Sequence, residues 1–268
     1  NNICFSSPIG FYYFSALRNL MIMVEKFTIM TCNVGNNRAD PEQMIPVVRD
    51  SGADLVAFQE LSDQQAEAIK SELAREYPHQ AVYPGGFAGK ALLSRFPILD
   101  SKQLHFHEER PDLKTVVDIT GFEIVLIIAH PPPPKPHWRG LKFDRQTWKQ
   151  IRSLAEMAIE HQPAVLLGDF NLADWWGEYA FMRSLGLKDA YQVAGRDRGN
   201  TLPRRIGPWK RMQALNRLLS RLTFFPLLRV DYIWYTEPLH CLDSWVGKDT
   251  GSDHLPVLAE MEMKTQPT

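Results

Sequence analysis

Eight polar residues stand at or beside the ends of apolar runs: Asn33, Glu60, His130, Asp169, Asn171, Asp231, Asp253 and His254. Singly, each has a plain reading. Asn33 can cap a turn, and Glu60 can be a solvated charge at the start of a helix. As a set they suit the hydrolysis of a phosphate ester. A phosphodiester is anionic and resists hydroxide, and Mg²⁺ or Mn²⁺ held by carboxylate oxygens and waters neutralises that charge. Glu60 and Asp253 offer hard oxygen ligands, and Asn33 offers a carbonyl oxygen. Asp169 is the candidate to orient or deprotonate a water. Asn171, two residues on, can donate its amide to a phosphate oxygen whose charge grows in the transition state. His254, oriented by Asp231, makes a histidine–carboxylate pair able to stabilise the phosphorane or protonate a leaving group.

These residues need elements to hold them. The pattern at Phe27 to Asn33 alternates and predicts a strand ending on Asn33. Asp40-Pro41 reads as the N-cap and first position of a helix that Gly52 stops, with Pro46 a conflict inside it. Asp54 to Gln59 is the next strand, leading to Glu60. Ser62 and Gln65 form a capping-box pattern for a helix reaching about Tyr77. Strands follow at Lys90 to Ser94, Lys114 to Thr120 and Glu123 to Ala129, the last leading to His130. Apolar residues at Ile151, Leu154, Ala155, Ala158 and Ile159 predict a helix within Phe143 to His161. Ala164 to Gly168 is a buried strand before Asp169, Trp175 to Leu185 a helix stopped by Gly186, and Val230 to Tyr235 and Leu255 to Met261 are strands. No linker divides the series, so one layered α/β domain is expected, and ligand-binding residues collect at strand ends on one edge of such a sheet.

Six segments carry a resemblance: Thr31-Cys32-Asn33-Val34, Phe58-Gln59-Glu60, Ala91 to Ile98, Gly168-Asp169-Phe170-Asn171, Val230-Asp231-Tyr232-Ile233 and Ser252-Asp253-His254-Leu255-Pro256. In kind and order they resemble the endonuclease/exonuclease/phosphatase superfamily with its DNase I-like fold, over roughly residues 26 to 263. The resemblance implies a four-layer α/β/β/α sandwich with Mg²⁺, one ion or two, at one edge of the paired sheets. It places Asn33 and Glu60 in the metal and phosphate shell, Asp253 on the metal side, Asp169 as the residue that positions the nucleophile and Asn171 on phosphate. His254 becomes the catalytic histidine, with Asp231 its partner. His130 matches a second histidine on phosphate, although four prolines follow it here. That run is nearer to bacterial members linked to lipid-pyrophosphate or uncharacterised hydrolysis than to the repair nucleases. A non-catalytic module that kept the fold is the alternative class, and the full set of carboxylates and histidines speaks against it.

Residues 204–229 are the distinctive stretch: Arg204, Arg205, Lys210, Arg211, Arg217, Arg221 and Arg229, no acid, and many apolar residues. It can grip nucleic acid through phosphates, lie on an anionic lipid surface, or be a packed helix with solvated arginines. Trp138, Trp175 and Trp176 follow site motifs and can stack on a base or sit at an interface, although core or rim packing is the simpler expectation. No protein partner is evident. The net charge of −1 over 268 residues provides no global field to attract a polyanion. Three widely spaced cysteines, Cys4, Cys32 and Cys241, fit buried thiols in a reducing, cytoplasmic setting, with a peripheral membrane association as the minor alternative. Residues 1–25 read as a leader and 264–268 as a tail around the domain 26–263.

Overall fold

A computed structural model describes residues 24–138, 140–205 and 224–264. Two six-stranded sheets face each other. The first is built from β1 (Val24–Asn33), β2 (Leu55–Gln59), β3 (His79–Tyr83), β4 (Lys90–Ser94), β13 (Leu239–Val246) and β14 (Val257–Lys264), in the order β13-β14-β1-β2-β4-β3. The second is built from β5 (Ile98–Leu104), β6 (Asp112–Ile119), β7 (Phe122–Ala129), β10 (Ala164–Asp169), β11 (Lys188–Asp189) and β12 (Asp231–Tyr235), in the order β11-β12-β10-β7-β6-β5. A separate hairpin pairs β8 (Lys135–His137) with β9 (Gly140–Lys142).

Strand period explains the layers. Ile29, Leu55, Ala57, Ile128, Val165, Leu167 and Ile233 point between the sheets into one core. Their strand neighbours Met30, Val56 and Phe58 point outward onto α1 (Pro41–Asp50) and α2 (Asp63–Glu72) through Met44, Ile45, Val48 and Ile69. On the far side Ile127, Leu166 and Trp234 meet α3 (Arg145–Glu160) and α4 (Gly177–Ser184) through Ile151, Leu154, Ala158 and Met182. Central strands buried on both faces read as apolar runs rather than alternations. Each such Leu, Ile or Phe contributes about 1.5–3 kcal/mol of burial. The result is the four-layer α/β/β/α sandwich that the resemblance implies.

The helix signals hold in detail. Asp40 Oδ1 accepts from the Glu42 amide, and the Ser62–Gln65 capping box forms in both directions. Gly52, at φ 68°, follows the end of α1 in a left-handed conformation. Pro46 stays inside α1 although its ring removes a helix hydrogen bond, because Met44, Ile45 and Val48 seat that helix on the sheet. The second helix stops at Glu72, short of Tyr77, whose hydroxyl instead donates to the Ala53 carbonyl (2.9 Å). Strands β3, β5, β11 and β13 and the hairpin β8–β9 were not expected. All are edge or surface strands, where half-exposed polar positions break the period.

Two parallel pairings, β1 with β2 and β7 with β10, align strand C-termini on one edge of the sandwich. The antiparallel neighbours β4, β6, β12 and β14 start there. Asn33, Glu60, His130, Asp169, Asp231 and His254 therefore gather at that edge although up to 221 positions separate Asn33 from His254.

Candidate active site

The centre of the site is one oxygen. Asp169 Oδ2 receives the Asn33 side-chain amide (3.0 Å) and faces the Asn171 amide at 3.5 Å. His130 Nε2 stands 3.4 Å and His254 Nε2 3.7 Å from the same atom. The other oxygen, Oδ1, accepts the backbone N–H of Asn171 (2.9 Å), which closes a turn within the Asp-Phe-Asn loop and aims Oδ2 at the site. Gly168 makes this possible. A Cβ there would lie 2.0 Å from the Ala129 carbonyl oxygen on the parallel neighbour, and its φ of 140° suits only glycine.

Two of the expected site residues have left-handed backbones, Glu60 (φ 55°) and Asn171 (φ 53°). Such conformations cost on the order of 1–3 kcal/mol and persist where surroundings over-determine them. Around Glu60 the surroundings do so: Asn36 N–H donates to the Glu60 carbonyl (2.8 Å), and Leu61 N–H donates to Gly89 (3.2 Å). Asn171 is held by its side-chain amide, which donates to the Pro131 carbonyl (3.1 Å).

The histidines differ electrically. His254 Nδ1 pairs with Asp231 Oδ2 at 2.9 Å. Burial disfavours its cation, but the carboxylates of Asp231 and Asp169 outweigh it and raise its pKa to about 10. Thr201 Oγ1 donates to the same Asp231 oxygen (2.5 Å), while Asp231 Oδ1 is buried with no partner among the described residues. His130 is pushed the other way. Burial, then the Arg110 guanidinium at 2.8 and 2.9 Å from its two ring nitrogens, hold it well below the usual histidine range. Burial raises Asp169 to about 7 and also raises Glu60, with His254 opposing both shifts.

Those raised carboxyls bear on the metal. Glu60, His130 and Asp169 place ligand atoms within 4.8 Å of one another, as do Asp169, Asp231 and His254. Buried carboxylates close together are costly unless a cation joins them, so the donor set fits a hard divalent ion. Two expected ligands stand differently. Asn33 Oδ1 accepts the Gly35 amide (2.9 Å), so Asn33 presents its N–H₂, not its carbonyl oxygen, to Glu60 and Asp169. Asp253 is engaged by Arg38 and lies outside both clusters.

Five residues beside the site gave no motif. Arg38 covers Asp253 and Arg110 backs His130. Behind them lies a buried layer: Asp112 accepts from the His130 backbone N–H (3.3 Å) and from Gln150 (2.7 Å), and Lys90 Nζ donates to the Ala88 and Pro111 carbonyls. A lysine opening the apolar run Lys90-Ala91-Leu92-Leu93 was the one available signal.

The stretch 204–229 splits. Arg204 and Arg205 pair with Asp249, and Arg229 is buried between Asp189 and Asp174 against the rings of Tyr179, Tyr191 and Tyr232. These three arginines are structural cations, not a grip on a partner. Lys210, Arg211, Arg217 and Arg221 lie outside the described residues, as does Cys4; Cys32 and Cys241 are buried thiols. Trp138 and Trp175 are 77% and 69% exposed, whereas Trp176 is half-buried against Phe143. Among the described residues no helix is long and apolar enough to cross a membrane.

Comparison with curated proteins gives no match. Solved structures share the fold. An endonuclease/exonuclease/phosphatase from Beutenbergia cavernae superposes with a TM-score of 0.65 at 19% identity, covering 90% of this chain and 72% of that one. D. rerio TDP2, complexed with single-strand DNA product, gives 0.66 at 19% over 88% and 98%. A mannosyl-6-phosphatase from Bacteroides thetaiotaomicron gives 0.62 at 18% over 88% and 99%. The endonuclease/exonuclease/phosphatase family model matches residues 30–254. That span runs from β1 to His254 and takes in every residue ringing Asp169, which sets aside the reading as a non-catalytic module: the chain belongs to the endonuclease/exonuclease/phosphatase family, a family of phosphate-ester hydrolases.

Proposed function

We propose that the chain is a Mg²⁺-dependent phosphodiesterase or phosphatase in which Asp169 is the base that orients and deprotonates the attacking water. The observation that carries this reading is the ring of nitrogen groups from Asn33, His130, Asn171 and His254 around Asp169 Oδ2. A carboxyl raised by burial to about 7 is matched to base work near neutral pH.

In the reaction, water attacks phosphorus while its proton passes to Asp169, and the ester P–O bond breaks on the opposite side. His254, held as the imidazolium by Asp231, stabilises the pentavalent phosphate and supplies a proton to the leaving oxygen. His130 is neutral, so it adds a hydrogen bond to phosphate without adding charge, and Arg110 behind it contributes the fixed positive charge. The two asparagine amides keep Asp169 in one orientation and then meet the phosphate oxygens. Glu60 and Asp169 would hold the metal, with Asp253 joining if Arg38 lets go. When bound, the ion supplies charge neutralisation for the phosphate and the departing oxygen.

A nucleic-acid substrate is the second reading, supported by the DNA product in D. rerio TDP2 and by the exposed Trp138 and Trp175. One screen tests both. Purified protein is assayed with Mg²⁺, Mn²⁺ or excess EDTA against a soluble phosphodiester, a phosphomonoester, a lipid phosphate, a lipid pyrophosphate, DNA and RNA. The expected result is turnover that EDTA abolishes and that falls on the order of 10²-fold in Asp169→Asn. Turnover undiminished by exhaustive chelation overturns the proposal.

A further inference from the structure

Exposed apolar residues are not spread evenly over this molecule. Among the described residues eleven large apolar side chains are exposed, and all but Leu99, Val193 and Leu242 sit at the active-site edge. The topology puts them there. Strands β12, β10 and β7 are neighbours, and their site ends carry Asp231, Asp169 and His130. The segment that enters Asp231 carries Phe225 (90% exposed) and Leu227 (73%), the loop that leaves Asp169 carries Trp175, and the loop that leaves His130 carries the hairpin with Trp138 and Leu141. Contacts at their bases join the three: Phe143 packs on Trp176 with ring centroids 5.7 Å apart, and Arg229 binds Asp174 at 3.1 Å.

We propose that this apolar rim docks on the surface of an anionic phospholipid membrane, so that the site beneath it works on phosphate esters presented at that surface. The proposal rests on the phosphate-ester reading and adds where the site operates. A patch of this kind on a monomer marks an interaction surface, and its chemistry selects the partner. Residues 131–149 carry five lysines and arginines against one acid, Asp144, which is already paired with Lys135. Lys142, Arg145 and Lys149 are exposed there. Cations around protruding tryptophan, phenylalanine and leucine are the composition of an interfacial anchor: apolar tips enter the headgroup boundary and cations meet anionic lipid. Nucleic acid also wants cations and aromatics, but Leu141 and Leu227 have no ring face on which a base could stack. A recess of about 560 Å³ lies beneath the hairpin beside the rim, where Lys142 and Arg145 are balanced by Asp144 and Glu178.

The test uses the full chain in co-sedimentation with phosphatidylcholine vesicles, with and without phosphatidylglycerol, beside a titration with a single-stranded oligonucleotide. Binding is expected only to the phosphatidylglycerol vesicles and is weakened by salt. Lys142→Gln with Arg145→Gln should lower it about thirtyfold, and Trp138→Ser with Trp175→Ser and Phe225→Ser should lower it by a similar factor. Both variants should hydrolyse a soluble phosphodiester at the wild-type rate, which also reports that they fold. No vesicle binding, or binding untouched by both variants, overturns the proposal. So does oligonucleotide binding that the same substitutions abolish while vesicles are ignored. If the wild type binds vesicles but hydrolyses nothing, the docking surface stands and the proposed function fails, so the two are separable.

Discussion

His254 Nε2 faces Asp169 Oδ2 across 3.7 Å while its other nitrogen is fastened to Asp231 at 2.9 Å. The imidazole is thus held between two carboxylates on paired residues of β10 and β12. Two buried anions flanking one ring favour its charged form. His130, on the far side of Asp169, meets the Arg110 cation and stays neutral.

This contrast is directly measurable. In metal-free protein at neutral pH, nitrogen-detected NMR should find His254 doubly protonated and His130 as a single tautomer. Stability follows with a defined sign. The folded pKa of His254, about 10, lies above the ordinary 6.5, so its contribution is fully present below pH 6.5 and is lost as pH rises through about 10. The stability gap between wild type and His254→Gln should therefore narrow across that window. A gap that widens from pH 6.5 to 10 contradicts the assignment.

Turnover should rank the same residues. His254→Ala is expected to lose on the order of 10²-fold or more in kcat. Asp231→Asn should lose less, because it orients the ring without touching the reacting atoms. Thr201→Val, which removes the hydroxyl that holds Asp231 Oδ2, should lose less again. Steady-state kinetics on one soluble ester gives the order. A Thr201→Val defect as large as that of His254→Ala would show that the hydroxyl does more than hold Asp231.

The eight motif residues could be read from sequence because each stands at or beside one end of an apolar run, and the folded sheets bring those ends to one edge. What could not be read is the layer behind them. Arg110 and Asp112 come from the mouth of β6, Lys90 from the start of β4 and Gln150 from the middle of α3. They act on one another across elements that no local spacing links. Arg38 was hidden for a different reason: it sits in the irregular Gly35-Asn36-Asn37 turn, and only tertiary folding brings it to Asp253. Asn33 was expected at the site with its carbonyl foremost. The nearby Gly35 amide, a backbone donor with a fixed direction, reverses that orientation.

The hidden layer should matter for stability. Burial lowers the Lys90 pKa to about 8 and raises that of Asp112 to about 6, with each charge opposing the other's shift. Lys90→Met leaves Asp112 as a buried, uncompensated charge and should destabilise by about 3–5 kcal/mol. It should also move Asp112 further above 6. Adding Asp112→Asn should recover part of the loss, so that the double variant is more stable than the sum of the single changes allows. Urea denaturation of the four proteins measures the coupling. Simple additivity would show that the two charges do not interact.

Gly168 provides a steric counterpart. The carbonyl of Ala129 occupies the space of any Cβ at this position, and φ of 140° disfavours every L side chain. Gly168→Ala must therefore push β10 away from β7 and shift Asp169 with it. Activity should fall more steeply than stability. A Gly168→Ala protein with normal kcat would mean that the position of Asp169 tolerates such a shift.

Metal binding should be visible without any turnover. Glu60 and Asp169 are anionic, close together and held above their ordinary pKa by burial, so a divalent ion that binds them relieves a strain already present in the folded chain. Binding to the folded state alone raises stability by an amount set by mass action, about 2.7 kcal/mol at a hundredfold excess over Kd. Mg²⁺ or Mn²⁺ should therefore raise the Tm of the wild type, and EDTA should reverse the rise. Glu60→Gln and Asp169→Asn each remove one of the charges. Both should show a smaller shift at the same metal concentration. Asp253→Asn distinguishes the remaining ligand. If Arg38 keeps Asp253 away from the ion, the variant retains the full metal shift. If the ion displaces Arg38, the shift shrinks as it does for Glu60→Gln. A wild-type Tm unmoved by either ion at millimolar concentration would remove the metal from this site.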